Sequence, residues 1–306
     1  MNSDDDIIIT SAFRTPIGSF QGSLKNHKAT ELGTVVVKRC MEHSNLNGSE
    51  IDTVILGQVL QAGCGQNPAR QTAINSGIDI DKTATTINQV CGSGLAAITL
   101  GFSSLKLNDA NIVIAGGQES MTNSPHYLNY RMEENLSEDK LKDTMLIDGL
   151  IDAYDDYHMG VTAENVAEKY QITRNDQDSF AFNSQKKAIK AISENKFKEE
   201  IVPIKLKDQK FFDKDEYPRA DTNLEKLSNL KTVFKKNGTV TAGNASGLND
   251  GAAAVTLMNY KTSKDKGLKP IAKIVSWAQS GVDPKLMGTG PIPASKLALK
   301  KAGWNI

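Results

Sequence analysis

The sequence predicts an α/β fold in which helices cover both faces of a parallel sheet. Short apolar runs typical of buried strands lie at 7–10, 53–57 and 111–117. Between them, residues 30–43 carry apolar side chains at helical spacing, and Pro68 stands where a helix can begin without losing a hydrogen bond. Strands that alternate with helices favour parallel pairing with helices on both faces.

The next strand and helix meet at a cysteine. Residues 84–90 form an extended run that stops at Cys91, and residues 94–107 are apolar nearly all round, which predicts a buried helix. The partial positive charge at a helix N-terminus favours the thiolate form of a cysteine, and thiolate is the nucleophile in covalent acyl transfer. From local features alone, a small core cysteine remains the alternative.

The second half of the chain has a different texture. Residues 120–160 are polar and irregular, Thr173 is placed to cap a long amphipathic helix, and residues 207–236 are highly charged. This pattern predicts an inserted, partly helical segment. After it, 252–258 resumes a buried texture.

Composition excludes several classes of protein. Among the 306 residues, 36 Lys and Arg balance 36 Asp and Glu, so neither nucleic acid nor an anionic membrane is an expected partner. The three cysteines show no CxxC and no metal-ligand spacing, which favours free thiols in a reducing compartment and no metal site. With neither a signal peptide pattern nor an apolar run of membrane-spanning length, the sequence predicts a cytoplasmic protein.

The segment from Asn88 to Gly94 resembles the nucleophile motif of thiolases, the CoA-dependent enzymes that make or cleave 3-ketoacyl-CoA. Other segments match thiolase motifs in the same order along the chain: 57–70, 116–121, 158–160, 238–247 and 287–291. The resemblance covers essentially the whole chain and is greatest to the biosynthetic, acetoacetyl-CoA type.

This resemblance implies a layered αβαβα fold with three parts. The N-terminal thiolase α/β domain would be complete and comprise 1–118 plus 239–268. A CoA-binding loop domain would be inserted at 119–238. Residues 269–306 would form the start of a truncated C-terminal domain, with its first strand at 272–277 and its first helix at 293–303, where Gly303 suits the helix C-terminus. Such a truncated domain should expose apolar surface. The family also implies a homo-oligomer, either a dimer or a tetramer.

The resemblance further implies an acetyl-CoA C-acetyltransferase. Such an enzyme condenses two acetyl-CoA to acetoacetyl-CoA and CoA, or runs the reverse thiolysis, through an acyl-enzyme on Cys91. No permanently bound cofactor is expected, and coenzyme A takes part as the thioester substrate. The positions that match CoA-binding residues of the family are Leu150, His158, Met159, Arg219, Phe234, Ala242 and Ser246.

One departure from the family concerns the base. The motifs that carry the activating histidine and the second cysteine match no residue of this sequence, which makes turnover by this chain doubtful. A catalytically incomplete thiolase remnant that binds CoA or a partner without turnover is therefore the alternative function. Another condensing enzyme of the same fold, such as a ketoacyl synthase, fits the 158–160 and 241–244 motifs less well.

The remaining histidines and cysteines have less specific expectations. His27 and His43 are expected in solvent, and His126 is a candidate for lining a pocket. Cys40 is expected in the core. Cys64 is interpreted as either an exposed, oxidisable thiol or a small residue at a subunit contact. Without the family, Arg219 would be interpreted as a surface charge.

Overall fold

The chain folds into two units, and all the strands named below lie in the first of them. The structure is a computed structural model that describes residues 3–131 and 137–306. The first unit comprises Met1–Gly149, Glu200–Glu216 and Leu248–Val275, and the second comprises Leu150–Glu199, Tyr217–Gly247 and Ser276–Ile306. The strands are β1 (Ile7–Arg14), β2 (Gly18–Ser19), β3 (Thr53–Gly57), β4 (Thr83–Ile87), β5 (Ile112–Ser120), β6 (His126–Tyr127), β7 (Lys142–Asp143), β8 (Ile204–Lys205), β9 (Phe211–Phe212), β10 (Asn249–Asn259) and β11 (Ala272–Lys273).

The helices are divided between the two units. The first contains α1 (Ala29–His43), α2 (Pro68–Asn75) and α3 (Ser93–Lys106); the second contains α4 (Met159–Lys169), α5 (Arg174–Ser193) and α6 (Leu224–Ser228). The last two are α7 (Tyr260–Asp265) in the first unit and α8 (Pro291–Ala302) in the second. In the described part of the chain, none of these helices has both the length and the apolar character needed to cross a membrane.

The main sheet is mixed, so the expectation of a parallel sheet is wrong in part. Its strands follow the order β11-β1-β10-β5-β3-β4, and β3 pairs in parallel with both β4 and β5, as predicted. However, β10 lies antiparallel between β1 and β5. Crossover helices require parallel pairing of β3, β4 and β5. The long segment between β5 and β10 imposes no such direction on the returning strand.

Both faces of this sheet are covered by helices, as the sequence predicts. The neighbouring residues Ile7 and Ile8 of β1 belong to different hydrophobic clusters, because successive side chains of a strand point to opposite faces. Ile8 packs in the cluster that includes α1 and α2, where Cys40 is fully buried. Ile7 packs with residues of α3 such as Ala97. The core position expected for Cys40 is confirmed.

Helix α3 forms where expected, but the prediction that it is buried all round is wrong. Its sheet-facing side carries small residues such as Ala97 and Gly101, and a Cβ on Gly101 would lie 2.9 Å from Leu257. Small residues let the helix approach the sheet closely. Its outer side leaves Leu95 73% exposed and Leu100 45% exposed. An apolar helix therefore need not be a buried one.

The other predicted elements agree with the structure to different degrees. Thr173 caps α5 by accepting a hydrogen bond from the Asp176 N–H. Gly303 ends α8 in the left-handed region, at φ 71°. The strand expected at 272–277 is confined to Ala272–Lys273, which pairs with β1. The apolar exposure expected after residue 269 is present, with Ile292 and Trp304 among the exposed side chains.

Candidate active site

Cys91 lies in the turn between β4 and α3 and is exposed. Strand β4 ends at Ile87, and α3 begins two residues after the cysteine. No side chain caps α3, so the N-terminal end of the helix dipole leaves a partial positive charge at the turn that contains Cys91. The structure therefore places this thiol as the sequence predicts, and the core-cysteine alternative is excluded.

The turn before Cys91 is strained. Val90 has φ 47°, in the left-handed region that β-branched residues very rarely adopt. A residue held in such a conformation costs about 1–3 kcal/mol, and such strain is found most often at functional sites. The Val90 N–H donates to Asn88 Oδ1 at 2.9 Å, which helps to hold the turn. The sequence gives no sign of this conformation at a valine.

The first turn of α3 packs directly on β3. A Cβ added to Gly57 would lie 2.5 Å from the Ser93 Cβ and 2.8 Å from the Gly94 nitrogen. Glycine at position 57 is therefore what allows the helix to begin this close to the sheet. This contact gives a structural reason for the first glycine of the 57–70 segment.

The histidines of the first unit have other partners. His27 is half-buried, with Nε2 3.3 Å from the Lys205 carbonyl oxygen, so its expected solvation is wrong because it packs against the β8 segment. His43 is exposed, as expected, and packs edge-on to Phe13. His126 is exposed and lies 3.8 Å from Asp143. Within this unit's described residues, no hydrogen bond joins these rings to the Cys91 sulfur.

Cys64 is half-buried, so the alternative of an exposed thiol is not supported. Burial raises its pKa, and Gln58 Nε2 lies 3.3 Å from its sulfur. Gln58 is itself held by the buried Gln118, whose Nε2 donates to Gln58 Oε1 at 2.9 Å. Because a thiol with a raised pKa is less ionised, burial makes Cys64 a poor nucleophile.

In the second unit, His158 and Phe234 form a stacked pair at the start of α4. Their ring centroids are 4.6 Å apart with an interplanar angle of 18°. His158 Nδ1 accepts the Gly160 N–H at 3.0 Å, so the ring caps the helix that Met159 begins. Burial lowers the pKa of His158. An accepting Nδ1 and a lowered pKa both favour a neutral ring with its proton on Nε2.

Arg219 and Ala242 line one cavity of about 510 Å³, also in the second unit. Lys226 lines it too and pairs with Asp221 at 2.7 Å. The hydrogen bond from Lys226 lowers the pKa of Asp221. Cations together with an apolar wall suit a ligand that carries both phosphates and a flat base.

The 239–247 segment, which contains Ala242 and Ser246, is held by two buried carboxylates. Glu164 of α4 accepts the N–H groups of Thr239 and Val240 at 2.7–2.9 Å, and the Thr239 hydroxyl at 2.8 Å. Asp178 of α5 accepts the Asn244 side-chain N–H at 2.9 Å and pairs with Arg174 at 2.8 Å. Sequence reasoning missed these residues; only the i,i+4 spacing of Arg174 and Asp178 was visible.

The predicted CoA-binding residues thus fall into two groups, with two left over. His158 and Phe234 stack at the start of α4, whose first residue is Met159, and Arg219 and Ala242 share the cavity. Leu150 is half-buried beside Ile151, which forms a β-bridge to His158. Ser246 is exposed and does not line that cavity. The structure adds Lys226, Tyr217 and Gln185 to the lining.

Comparison with known proteins shows two family matches. The family model described as "Thiolase, N-terminal domain" matches residues 7–261, and "Thiolase, C-terminal domain" matches residues 268–306. An acetyl-CoA acetyltransferase of Pseudomonas aeruginosa is 51% identical over 98% of this chain and 78% of the relative. One of Paracoccus denitrificans is 52% identical over 98% and 77%. The crystal structure of the Bacillus anthracis acetyl-CoA acetyltransferase matches with a TM-score of 0.95 at 42% identity, covering 98% of this chain and 77% of that one.

Proposed function

The chain belongs to the thiolase family, and from that premise we propose that it transfers acetyl groups between CoA thioesters through an acyl-enzyme on Cys91. Family membership and the thiolase fold confirm the resemblance seen in the motifs, and with them a thiolase-type acyltransferase. The observation that carries the finer proposal is the exposed Cys91 at the uncapped N-terminus of α3.

In the proposed first step, the Cys91 thiolate attacks the carbonyl carbon of acetyl-CoA. A bond forms between the Cys91 sulfur and this carbon, the bond from the carbon to the CoA sulfur breaks, and the CoA thiolate leaves and takes up a proton. In the second step a base removes the α-proton of another acetyl-CoA. The resulting carbanion attacks the acyl-cysteine, which forms acetoacetyl-CoA and restores the Cys91 thiolate. Thiolysis is the reverse.

We propose that the second unit supplies the CoA-binding residues. Arg219 and Lys226 suit phosphate oxygens, since both are cations that line the same cavity. The stacked rings of His158 and Phe234, with Met159 and Leu150, offer an apolar and partly aromatic surface for the pantetheine arm. The roles of Ala242 and Ser246, on the segment that Glu164 and Asp178 hold, stay predictions from the family.

A remnant that binds CoA without turnover is the second candidate, and one observation favours it. A Claisen condensation needs a base, yet among the described residues of the first unit no histidine is hydrogen-bonded to Cys91. The predicted domain boundaries of 1–118 with 239–268, 119–238 and 269–306, the homo-oligomer and the cytoplasmic location also stay predictions.

The experiment is to incubate the purified chain with acetyl-CoA and to measure its intact mass, beside Cys91→Ala and Cys64→Ala variants. We expect one acetyl group on the chain and on Cys64→Ala, and none on Cys91→Ala. Acetyl transfer that persists in Cys91→Ala contradicts the proposal. Thiolysis of acetoacetyl-CoA by the same samples separates the two candidates, because a remnant acquires the acetyl group or binds CoA but does not turn over.

A further inference from the structure

Ser93, the first residue of α3, is buried and connected to the strained turn that precedes it. Its hydroxyl oxygen accepts the Gln89 N–H at 2.8 Å and donates to the Val90 carbonyl oxygen at 2.6 Å. The Ser93 backbone N–H donates to the same carbonyl at 3.1 Å. One side chain therefore bonds to the peptide group between Asn88 and Gln89 and to the one that follows the left-handed residue.

These bonds hold Val90 in a conformation that valine rarely adopts on its own. An unstrained valine has negative φ, and a change of φ at this position redirects the chain at the next residue, Cys91. The Asn88 side chain also restrains Val90, because its Oδ1 accepts the Val90 N–H, but Asn88 is exposed. A hydrogen bond from a buried hydroxyl is screened less by water than one from an exposed side chain.

We propose that Ser93 is a positioning residue for the reaction: it holds Val90 in the left-handed conformation and so keeps the Cys91 sulfur exposed at the N-terminus of α3. The proposal rests on the proposed role of Cys91 as the nucleophile. Without the hydroxyl, the turn relaxes toward negative φ at Val90, and the chain is redirected at Cys91.

The first test compares Ser93→Ala with Ser104→Ala. Ser104 lies on the same helix, and its hydroxyl donates only to the Leu100 carbonyl, away from the turn. The readout is the rate at which iodoacetamide alkylates Cys91, followed by mass spectrometry of its peptide. We expect alkylation to be about tenfold slower in Ser93→Ala, which loses both hydrogen bonds of the hydroxyl, and unchanged in Ser104→Ala.

The second test asks whether the effect acts through Val90. Glycine adopts positive φ without strain, so in the Val90→Gly background the turn no longer depends on the serine. There we expect Ser93→Ala to slow alkylation by less than about threefold, a coupling that a double-mutant cycle measures. With Val90 present, Ser93→Ala should also slow the transfer of an acetyl group from acetyl-CoA to Cys91, which a purely structural role does not require.

Several outcomes would overturn the proposal. These are alkylation of Ser93→Ala at the unmodified rate, an equal loss in both backgrounds, or a fall in thermal stability without any change at Cys91. Should Ser93→Ala alone not fold, the comparison in the Val90→Gly background decides, and a tenfold loss there contradicts the proposal. If the unmodified chain takes no acetyl group from acetyl-CoA, the proposed function fails instead, and the alkylation result still stands by itself.

Discussion

Replacing Glu164 with glutamine tests whether its carboxylate holds the 239–247 segment in place. The side chain is 4% exposed and accepts four hydrogen bonds, from Thr239 and Val240. Glutamine keeps the shape, but its NH₂ group donates where a carboxylate oxygen accepted the Thr239 N–H. Glu168, one turn further along α4, is the matched control, because it is 74% exposed and pairs only with Lys235, at 3.1 Å.

The magnitude follows from the charge and the burial. A hydrogen bond to a charged group contributes about 1.5–3 kcal/mol and a neutral one about 0.5–1.5 kcal/mol. In Glu164→Gln the remaining oxygen still accepts from Val240, while the bonds on the other side weaken or are lost. We therefore expect a loss of about 2–3 kcal/mol in the free energy of unfolding. Glu168→Gln removes one exposed ion pair, for which less than about 1 kcal/mol is expected.

The assay is urea unfolding of both variants and the unmodified chain at neutral pH, with hydrogen exchange followed in the 239–247 segment. Faster exchange in that segment should accompany the stability loss in Glu164→Gln and be absent in Glu168→Gln. Two results would contradict a role of Glu164 in holding this segment: unfolding free energies of the two variants within about 0.5 kcal/mol of each other, or faster exchange everywhere except at this segment.

Three further predictions concern titration and close packing. Burial raises the pKa of Cys40 from 9.0 to about 11, so its stabilising contribution is present below pH 9 and is lost as pH rises toward 11. At 1.36 kcal/mol per pKa unit, urea unfolding should show that the free energy of unfolding is about 1.4 kcal/mol lower at pH 10 than below pH 9. The Cys40→Ala variant should not show this loss. Burial lowers the pKa of His158, so the stability that its neutral ring contributes is present above pH 6.5 and is lost as pH falls through the lowered pKa. Because His158 is a proposed CoA-binding residue, calorimetry should show that the affinity of the unmodified chain for CoA falls in acid. The affinity of His158→Asn should not fall, because asparagine caps the helix but does not titrate. Gly160→Ala, whose Cβ would lie 2.1 Å from the Phe234 ring, should cost about 1–3 kcal/mol in thermal unfolding, whereas Gly281→Ala, with no atom within 4 Å, should not.

Features that depend on neighbouring residues could be predicted from the sequence. The Thr173 cap, the Pro68 helix start and the strand–cysteine–helix order around Cys91 each depend on a few adjacent side chains, and the structure contains all three. The family motifs added Arg219 and Ala242, and the structure places both in one cavity. These predictions needed no knowledge of long-range contacts.

Features that depend on distant residues could not be predicted. Glu164 meets Thr239 across 75 positions, and Asp178 meets Asn244 across 66, with no pattern in the sequence to join them. The direction of β10 is set by its pairing with β1 and β5, which the hydrophobic pattern does not reveal. The strain at Val90 could not be predicted either, because a β-branched residue at this position favours negative φ.

The features around Cys91 separate acyl transfer to the cysteine from complete turnover. Attack on a thioester requires an accessible sulfur and a good leaving group, and Cys91, in the turn before the uncapped α3, is exposed. Carbon–carbon bond formation also requires a base of suitable pKa close to the acyl group. His158 caps a helix, because its Nδ1 accepts the Gly160 N–H, and its pKa is lowered. It is therefore expected to contact CoA and not to remove the α-proton. Acetylation of Cys91 without thiolysis would therefore mean that the nucleophile is competent and that the missing function is that of the base.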